Sequence, residues 1–251
     1  MPLVTSEINN LVAVGWQEWP AYRRVVAIGH NSDIDTGPED MWTGGGLYPW
    51  MTASTSLEIV SSSTADTALG TGARTVTING LNDAYDEVSQ TVSLNGTSAV
   101  SIPTPLYRIN GALVVTTGSG NVNAGTLTIR DAGGGTTRAL ISVGHGTTQQ
   151  SEYTTPAGYT LQVITLVSCI NRPTSTRDAT LATYIANPNG SYRLPFEYSV
   201  NGQPFALPIL PGVIVPEKTD FGIRCTYVST TNTDITAAWI GVMKLNEIPV
   251  I

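Results

Sequence analysis

The chain is short of charge. Asp, Glu, Lys and Arg make up 12% of its 251 residues, about half the share of an ordinary soluble domain. Lysine occurs only at Lys218 and Lys244. Exposed helix faces are built largely from Glu, Lys, Arg, Gln and Ala, so this shortage excludes helical bundles and coiled coils. Cations are scarcer than anions, 12 against 19, for a net charge of −7. A protein that displaces counterions from a phosphate backbone needs the opposite balance, which excludes direct nucleic-acid binding as the general function. No apolar run approaches the roughly 18 residues of a spanning helix, so no membrane partner is expected. The first ten residues show no basic region leading into an apolar one, so no secretory leader is expected.

Chemistry-bearing residues are equally sparse. The two cysteines, Cys169 and Cys225, lack the CxxC spacing of a zinc or redox site. Each lies in an apolar, strand-like run and reads as a buried free thiol; a disulfide between two sheets is the alternative. Histidine occurs only at His30 and His145. There is no GxSxG nucleophile elbow and no phosphate loop ending in Lys-Ser/Thr. Glycoside hydrolysis needs two carboxylates facing one cleft, and no pair among the nineteen is singled out by spacing. No catalytic residue and no cofactor is assigned.

What is abundant points to β structure. Roughly a fifth of the residues are Ser or Thr, 25 are Gly, and hydrophobic residues still reach 41%, too many for charge-driven disorder. Arg74–Ile78 and Phe221–Tyr227 alternate polar and apolar, as half-buried strands do. The segments TVTING and TVSLNG, sixteen positions apart, read as successive strands of one sheet. Asn-Gly pairs at 79–80, 95–96, 110–111, 189–190 and 201–202 suggest tight hairpins. Pro208, Pro211 and Pro216 mark an edge strand or an extended crossover, because proline cannot donate to a ladder. Thirteen to fifteen short strands at this spacing predict an all-β protein of antiparallel sandwiches. The expected division is an irregular N-terminal arm over 1–50, a β-sandwich over 51–145 and a jelly-roll-like sandwich over 146–251.

Residues 1–50 stand apart. They hold Trp16, Trp19, Trp42 and Trp50, a candidate partner-contact surface, since aromatic anchors are enriched at interface hot spots. The alternative is that these rings fill core beneath the segment. Asp33, Asp35, Glu39 and Asp40 form the densest acidic stretch and the best place for a hard cation. The spacing lacks the remaining ligands of a calcium loop, and a solvated loop or strand cap accounts for it equally well, so no metal is assigned.

Several segments together resemble virion structural proteins of tailed bacteriophages. They are Gly29–Thr36, Glu39–Trp42 leading to Gly45-Gly46, Ser61–Ser63, Asp66-Thr67, Gly70–Ile78, Thr91–Thr97, Asn123–Ile129 and Pro216–Asp220. The resemblance spans about residues 25–230, and its more specific parts are 29–42 and 61–97. It implies a particle component made in the host cytoplasm, not an enzyme. A capsid decoration, or cement, protein would work as an oligomer, most simply a homotrimer, held to the major capsid protein or other virion proteins. A neck, tail or fibre component touching host glycans is the alternative implication.

Overall fold

The computed structural model describes residues 21–171, 177–187, 191–201 and 203–247. Trp16, Trp19 and the Asn-Gly pair at 189–190 lie outside the described residues, as does Gly202. Among the described residues there are sixteen strands and no helix. Every strand pairing is antiparallel.

In chain order the strands are β1 (Tyr22–Ile34), β2 (Glu39–Asp40), β3 (Leu57–Ser61), β4 (Ala73–Leu81), β5 (Glu87–Ser93), β6 (Val100–Ser101), β7 (Arg108–Thr117) and β8 (Leu127–Asp131). Then follow β9 (Thr137–Ile141), β10 (Tyr153–Thr154), β11 (Tyr159–Ile170), β12 (Ala179–Ala186), β13 (Tyr192–Val200), β14 (Phe205–Val215), β15 (Asp220–Val228) and β16 (Thr233–Leu245). The period-2 rule shows plainly in β16. Ile235, Ala237, Trp239 and Met243 are buried, while Thr236, Ala238, Ile240 and Val242 between them stay half-exposed.

Two sandwiches result. In the larger, one sheet has the order β1-β16-β11-β14 and the facing sheet the order β10-β15-β12-β13. The short β2 also pairs with β15, opposite Arg224 and Cys225, while β10 lies opposite Asp220 and Phe221. The strands β2 and β10 therefore follow one another along the same lane and act as two halves of one strand. Counted that way, the eight strands lie in the orders 1-8-3-6 and 2-7-4-5. This is a jelly roll, two Greek keys wound together. Its core runs from Ile34 and Met41 through Leu161, Leu181 and Phe221 to Trp239. Trp239 meets Tyr153 and Phe221 edge-on and donates its indole N–H to the Ser151 carbonyl, 2.8 Å away. Each such large buried side chain contributes about 1.5–3 kcal/mol.

The smaller sandwich, β3–β9, is inserted between the two halves of that strand. Its sheets are β6-β3-β8-β9 and β5-β4-β7, closed on a separate core that includes Leu57, Ile78, Leu106 and Ile129.

Three sequence expectations change. Residues 21–50 are not an arm: β1 pairs along β16 from Tyr22–Lys244 to Ile34–Thr233, and β2 pairs with β15. The jelly roll attributed to 146–251 takes its first strand and half its second from this segment. The Asn-Gly pairs at 79–80 and 110–111 lie inside β4 and β7, not at hairpin turns. Gly80 is needed because a Cβ there would overlap the Arg108 carbonyl, and the register shifts at that point. The proline-rich stretch does form an edge strand, β14.

The inserted sandwich is organised by a buried carboxylate. Asp66 accepts hydrogen bonds from Ser61 Oγ (2.6 Å) and from the amides of Ala73, Ala124 and Gly125 at 2.7–2.8 Å. Asp66→Ala strips the acceptor from these buried donors. It should lower unfolding free energy by about 3–5 kcal/mol, read as a lower urea midpoint with the m-value unchanged.

Candidate functional site

Two features could carry function: the 30–50 loop with its carboxylates and tryptophans, and the seam between the sandwiches. Both turn out to be internal structure.

The loop begins where β1 passes beneath it. Gly29 is required there, since a Cβ would overlap the Met41 carbonyl. Glu39 accepts hydrogen bonds from Asn31 Nδ2 (2.9 Å), Asp35 N (2.8 Å) and Gly46 N (2.8 Å). Asp40 is fully buried and takes a bidentate ion pair from Arg224, at 2.6 and 3.0 Å, plus the Tyr48 amide at 2.8 Å. Asp33 and Asp35 stay exposed. Among the described residues no three His, Cys, Asp or Glu side chains are grouped to hold a metal. The candidate set Asp33, Asp35, Glu39 and Asp40 is therefore divided, because Glu39 and Asp40 have their oxygens spent on the loop and on Arg224.

Trp42 and Trp50 also belong to this structure. Trp42 is 5% exposed. Its ring meets Tyr48 edge-on at 5.2 Å, and Tyr48 in turn meets Trp50 at 4.7 Å. The indole of Trp42 is packed within the chain, so a partner contact there is corrected to a core role. Half-buried Trp50 lies against the Arg108 guanidinium, 5.1 Å from the ring centroid.

Arg108 is the centre of the seam. It leaves β7 of the inserted sandwich and pairs with Asp220, on β15 of the jelly roll, through two parallel bonds of 2.9 Å each. Its Nη1 donates to the carbonyls of Met51 (2.7 Å) and Tyr107 (2.9 Å), and the guanidinium lies 4.0 Å from the Tyr107 ring centroid. Thr154 Oγ1 donates to Asp220, while Asn110 and Thr154 exchange hydrogen bonds at 2.9 and 3.0 Å. Both Arg108 and Asp220 are buried.

Beside the seam lies Glu152, buried at 1% exposure. Ser151 Oγ donates to its Oε1 at 2.9 Å, while Oε2 has no hydrogen-bond partner among the described residues. Burial, with the Asp40 charge adding to it, pushes the Glu152 carboxyl well above its ordinary 4.5. Burial also raises Asp40, against the pull of the Arg224 guanidinium. With Arg224 given to Asp40, burial favours the neutral form at Glu152.

Of the remaining sequence candidates, His30 pairs with Asp234 at 2.8 Å and His145 sits exposed on a loop. Both cysteines are free thiols. Cys225 faces the core, where burial pushes its thiol up to about 12. Cys169 is half-exposed rather than buried, on the outward side of β11, so the two point away from each other's reach.

Sequence reasoning missed Arg108, Glu152, Asp220 and Arg224. Their only signal was a charged residue within or beside an apolar strand pattern. An open cavity of about 280 Å³ between β1 and β7 is lined by Val26, Ile28, Asn79, Asn110, Leu113 and Thr148 among others, with no ionisable side chain. Such a cleft offers contact, not proton transfer.

No protein-family model matches the chain, and no curated protein does. Among solved structures, infectious bursal disease virus strain Gx aligns at 12% identity over 89% of this chain and 72% of the other, with a TM-score of 0.25. The tandem CBM22 domains of Paenibacillus barcinonensis Xyn10C align at 13% identity over 91% and 94%, with a TM-score of 0.23. Vicilin from hazelnut, Corylus avellana, aligns at 10% identity over 90% and 75%, with a TM-score of 0.17. Overlaps this slight do not establish a shared fold.

Two outcomes follow from the geometry. Arg108→Ala leaves Asp220 buried without its cation and should cost about 3–5 kcal/mol in chemical denaturation, with Arg108→Lys recovering only part because an ammonium cannot fork. For Glu152 the folded value lies above the unfolded one. Its contribution is full below about pH 4.5 and is lost as pH rises toward the folded value. Glu152→Gln keeps the neutral shape, so its Tm should exceed that of the parent by a margin that grows from pH 4.5 to 8. An unchanging margin would mean that Glu152 is ionised in the folded state.

Proposed function

We propose that this chain is a non-enzymatic structural component of a virus particle, a capsid decoration protein. It would bind the major capsid protein or another virion protein as a homo-oligomer, a trimer in the simplest arrangement. The observation that carries this reading is the strand order 1-8-3-6 over 2-7-4-5 with a second sandwich inserted in one strand. The jelly roll is a frame used by viral capsids, and also by lectins and cupins, so topology alone does not choose among them.

The choice comes from the tailed-phage resemblance, and the structure gives its two more specific patches a common meaning. Patch 29–42 builds the crossing of Gly29 under Met41 and the Glu39 and Asp40 anchors that lead the chain into the insert. Patch 61–97 builds the Asp66 hub of the insert itself. In this chain both patches therefore carry architecture and not a reactive group. Of the buried carboxylates, Asp40 and Asp220 are engaged in ion pairs and Asp66 in holding loop amides, which suits a protein acting through repeated contacts. Weak contacts multiplied over a particle surface bind by avidity.

Quantitative labelling of purified particles tests the reading. A copy for every lattice point of the head, with particles lacking the protein failing sooner on heating or in low salt, is expected. A single ring at one vertex would favour a neck, tail or fibre component. Particles that survive equally well without it would overturn the decoration role.

A further inference from the structure

The outward side of the β1-β16-β11-β14 sheet carries an apolar band that contributes nothing to the jelly-roll core; its β1 members, Val26 and Ile28, border the open cleft beside β7. Strand register places Val26, Ile240, Thr165 and Pro208 side by side across all four strands. The next outward row is Ile28, Ala238, Val167 and Ala206. One hydroxyl is the only polar side-chain group in eight positions. Val26 and Ile28 are 45% and 48% exposed, whereas Val25 and Ala27 between and beside them pack on the core. An outward sheet face is ordinarily polar in alternation with its core face, so this band departs from the rule.

Beyond the two rows, on the same face, charges of opposite sign face outward along β1 and β16. Arg24 and Lys244 are exposed at one end. Asp234 lies at the other, hydrogen-bonded to His30 and Asn171, with Asp33 and Asp35 exposed nearby. We propose that the occupant of this face is a second copy of the chain, packed face to face about a two-fold axis that runs across the strands. That axis reverses strand direction, so each row of one copy meets its mirror-placed row in the other. The two apolar rows then cover each other, and Lys244 comes over the partner's Asp234 at both ends. A two-fold axis along the strands would instead stack like charges. Electrostatic complementarity of this kind sets orientation, and a single self-complementary patch is what an isologous contact requires.

This deepens the oligomeric part of the proposed function and rests on it only for its purpose. Four strands about 4.8 Å apart over about six residues give roughly 400 Å² of flat area per copy, about half a standing interface. The pair should therefore be weak and concentration-dependent in free solution. Being isologous, it makes pairs and not trimers. If a trimer forms through another surface, the pairs link trimers into hexamers.

Sedimentation equilibrium of the full chain across a wide concentration range tests it. Masses approaching two or six times 26.5 kDa are expected. Val26→Asp, on the exposed edge strand, should abolish the pairing while leaving the melting temperature near that of the parent. Lys244→Glu should weaken it at least tenfold by like-charge opposition. Only monomer or trimer at the highest concentration would overturn the proposal. So would a monomeric full chain whose version starting at Ala21 pairs, since residues 1–20 of the same chain would then be the occupant. The two readings fail separately: Val26→Asp protein that still joins particles leaves the decoration role standing, and pairing by a protein absent from particles leaves this contact standing.

Discussion

Two separate hydrophobic cores lie among the described residues, and one buried guanidinium joins them. Arg108 rises from the inserted sandwich and closes its fork on Asp220 of the jelly roll while its remaining donors take the carbonyls of Met51 and Tyr107. Desolvating such a pair is costly, and a well-packed apolar contact could hold the seam as tightly. What the pair adds is direction. A bidentate fork accepts one geometry, whereas two apolar surfaces slide. The Asn110–Thr154 exchange and the Gln150 bond to the Ile109 carbonyl repeat the same device along the seam. The orientation of one sandwich on the other is thus set by polar contacts whose partners are fixed in number.

That rigidity matters because the insertion interrupts a strand in the middle of a sheet. Strand β2 ends at Asp40 and β10 resumes at Tyr153, on the same lane beside β15. Met41 donates to the Ile223 carbonyl and Ser151 Oγ accepts from the Ile223 amide, so the gap in the lane is filled by the chain leaving and the chain returning. Arg224 clamps the departing half through Asp40; Thr154 ties the returning half to Asp220, the carboxylate on which Arg108 closes. A jelly roll can host a whole second sandwich only if both cut ends stay in register, and these two arginines hold them there.

The all-β class was legible from composition and alternation, and the proline-bearing edge strand from the chemistry of proline. The split strand was not. Its halves have two residues each, too short for any period, and lie 112 residues apart in the middle of polar loop sequence. Of the first strand only Val25–Ile28 carries an apolar, strand-like pattern, because its remaining positions include Arg23, Arg24, His30, Asn31 and Asp33, residues that an edge strand tolerates and a pattern search rejects. Asn79-Gly80 misled for a related reason. The dipeptide favours a turn, but Gly80 was selected by the neighbouring Arg108 backbone, a contact visible only in three dimensions. The acidic loop resisted in the opposite sense. Spacing grouped Asp33, Asp35, Glu39 and Asp40, and folding separated them by giving Glu39 to backbone amides and Asp40 to an arginine 184 positions away.

The scarcity of charge now has a structural account. Arg23, Arg108, Arg130, Arg138 and Arg224 all end on carboxylates within the chain. That removes part of an already small charge from the surface, where hydroxyls, glycines and small apolar side chains take a large share. A soluble protein acting alone gains colloidal stability from a charged exterior, and this chain forgoes much of that. Across two adjacent outward rows of its larger sheet it carries no ionisable side chain at all. Under the proposed pairing those two rows lie against a second copy and need no charge of their own, so the composition that first pointed only to a β fold fits that reading as well.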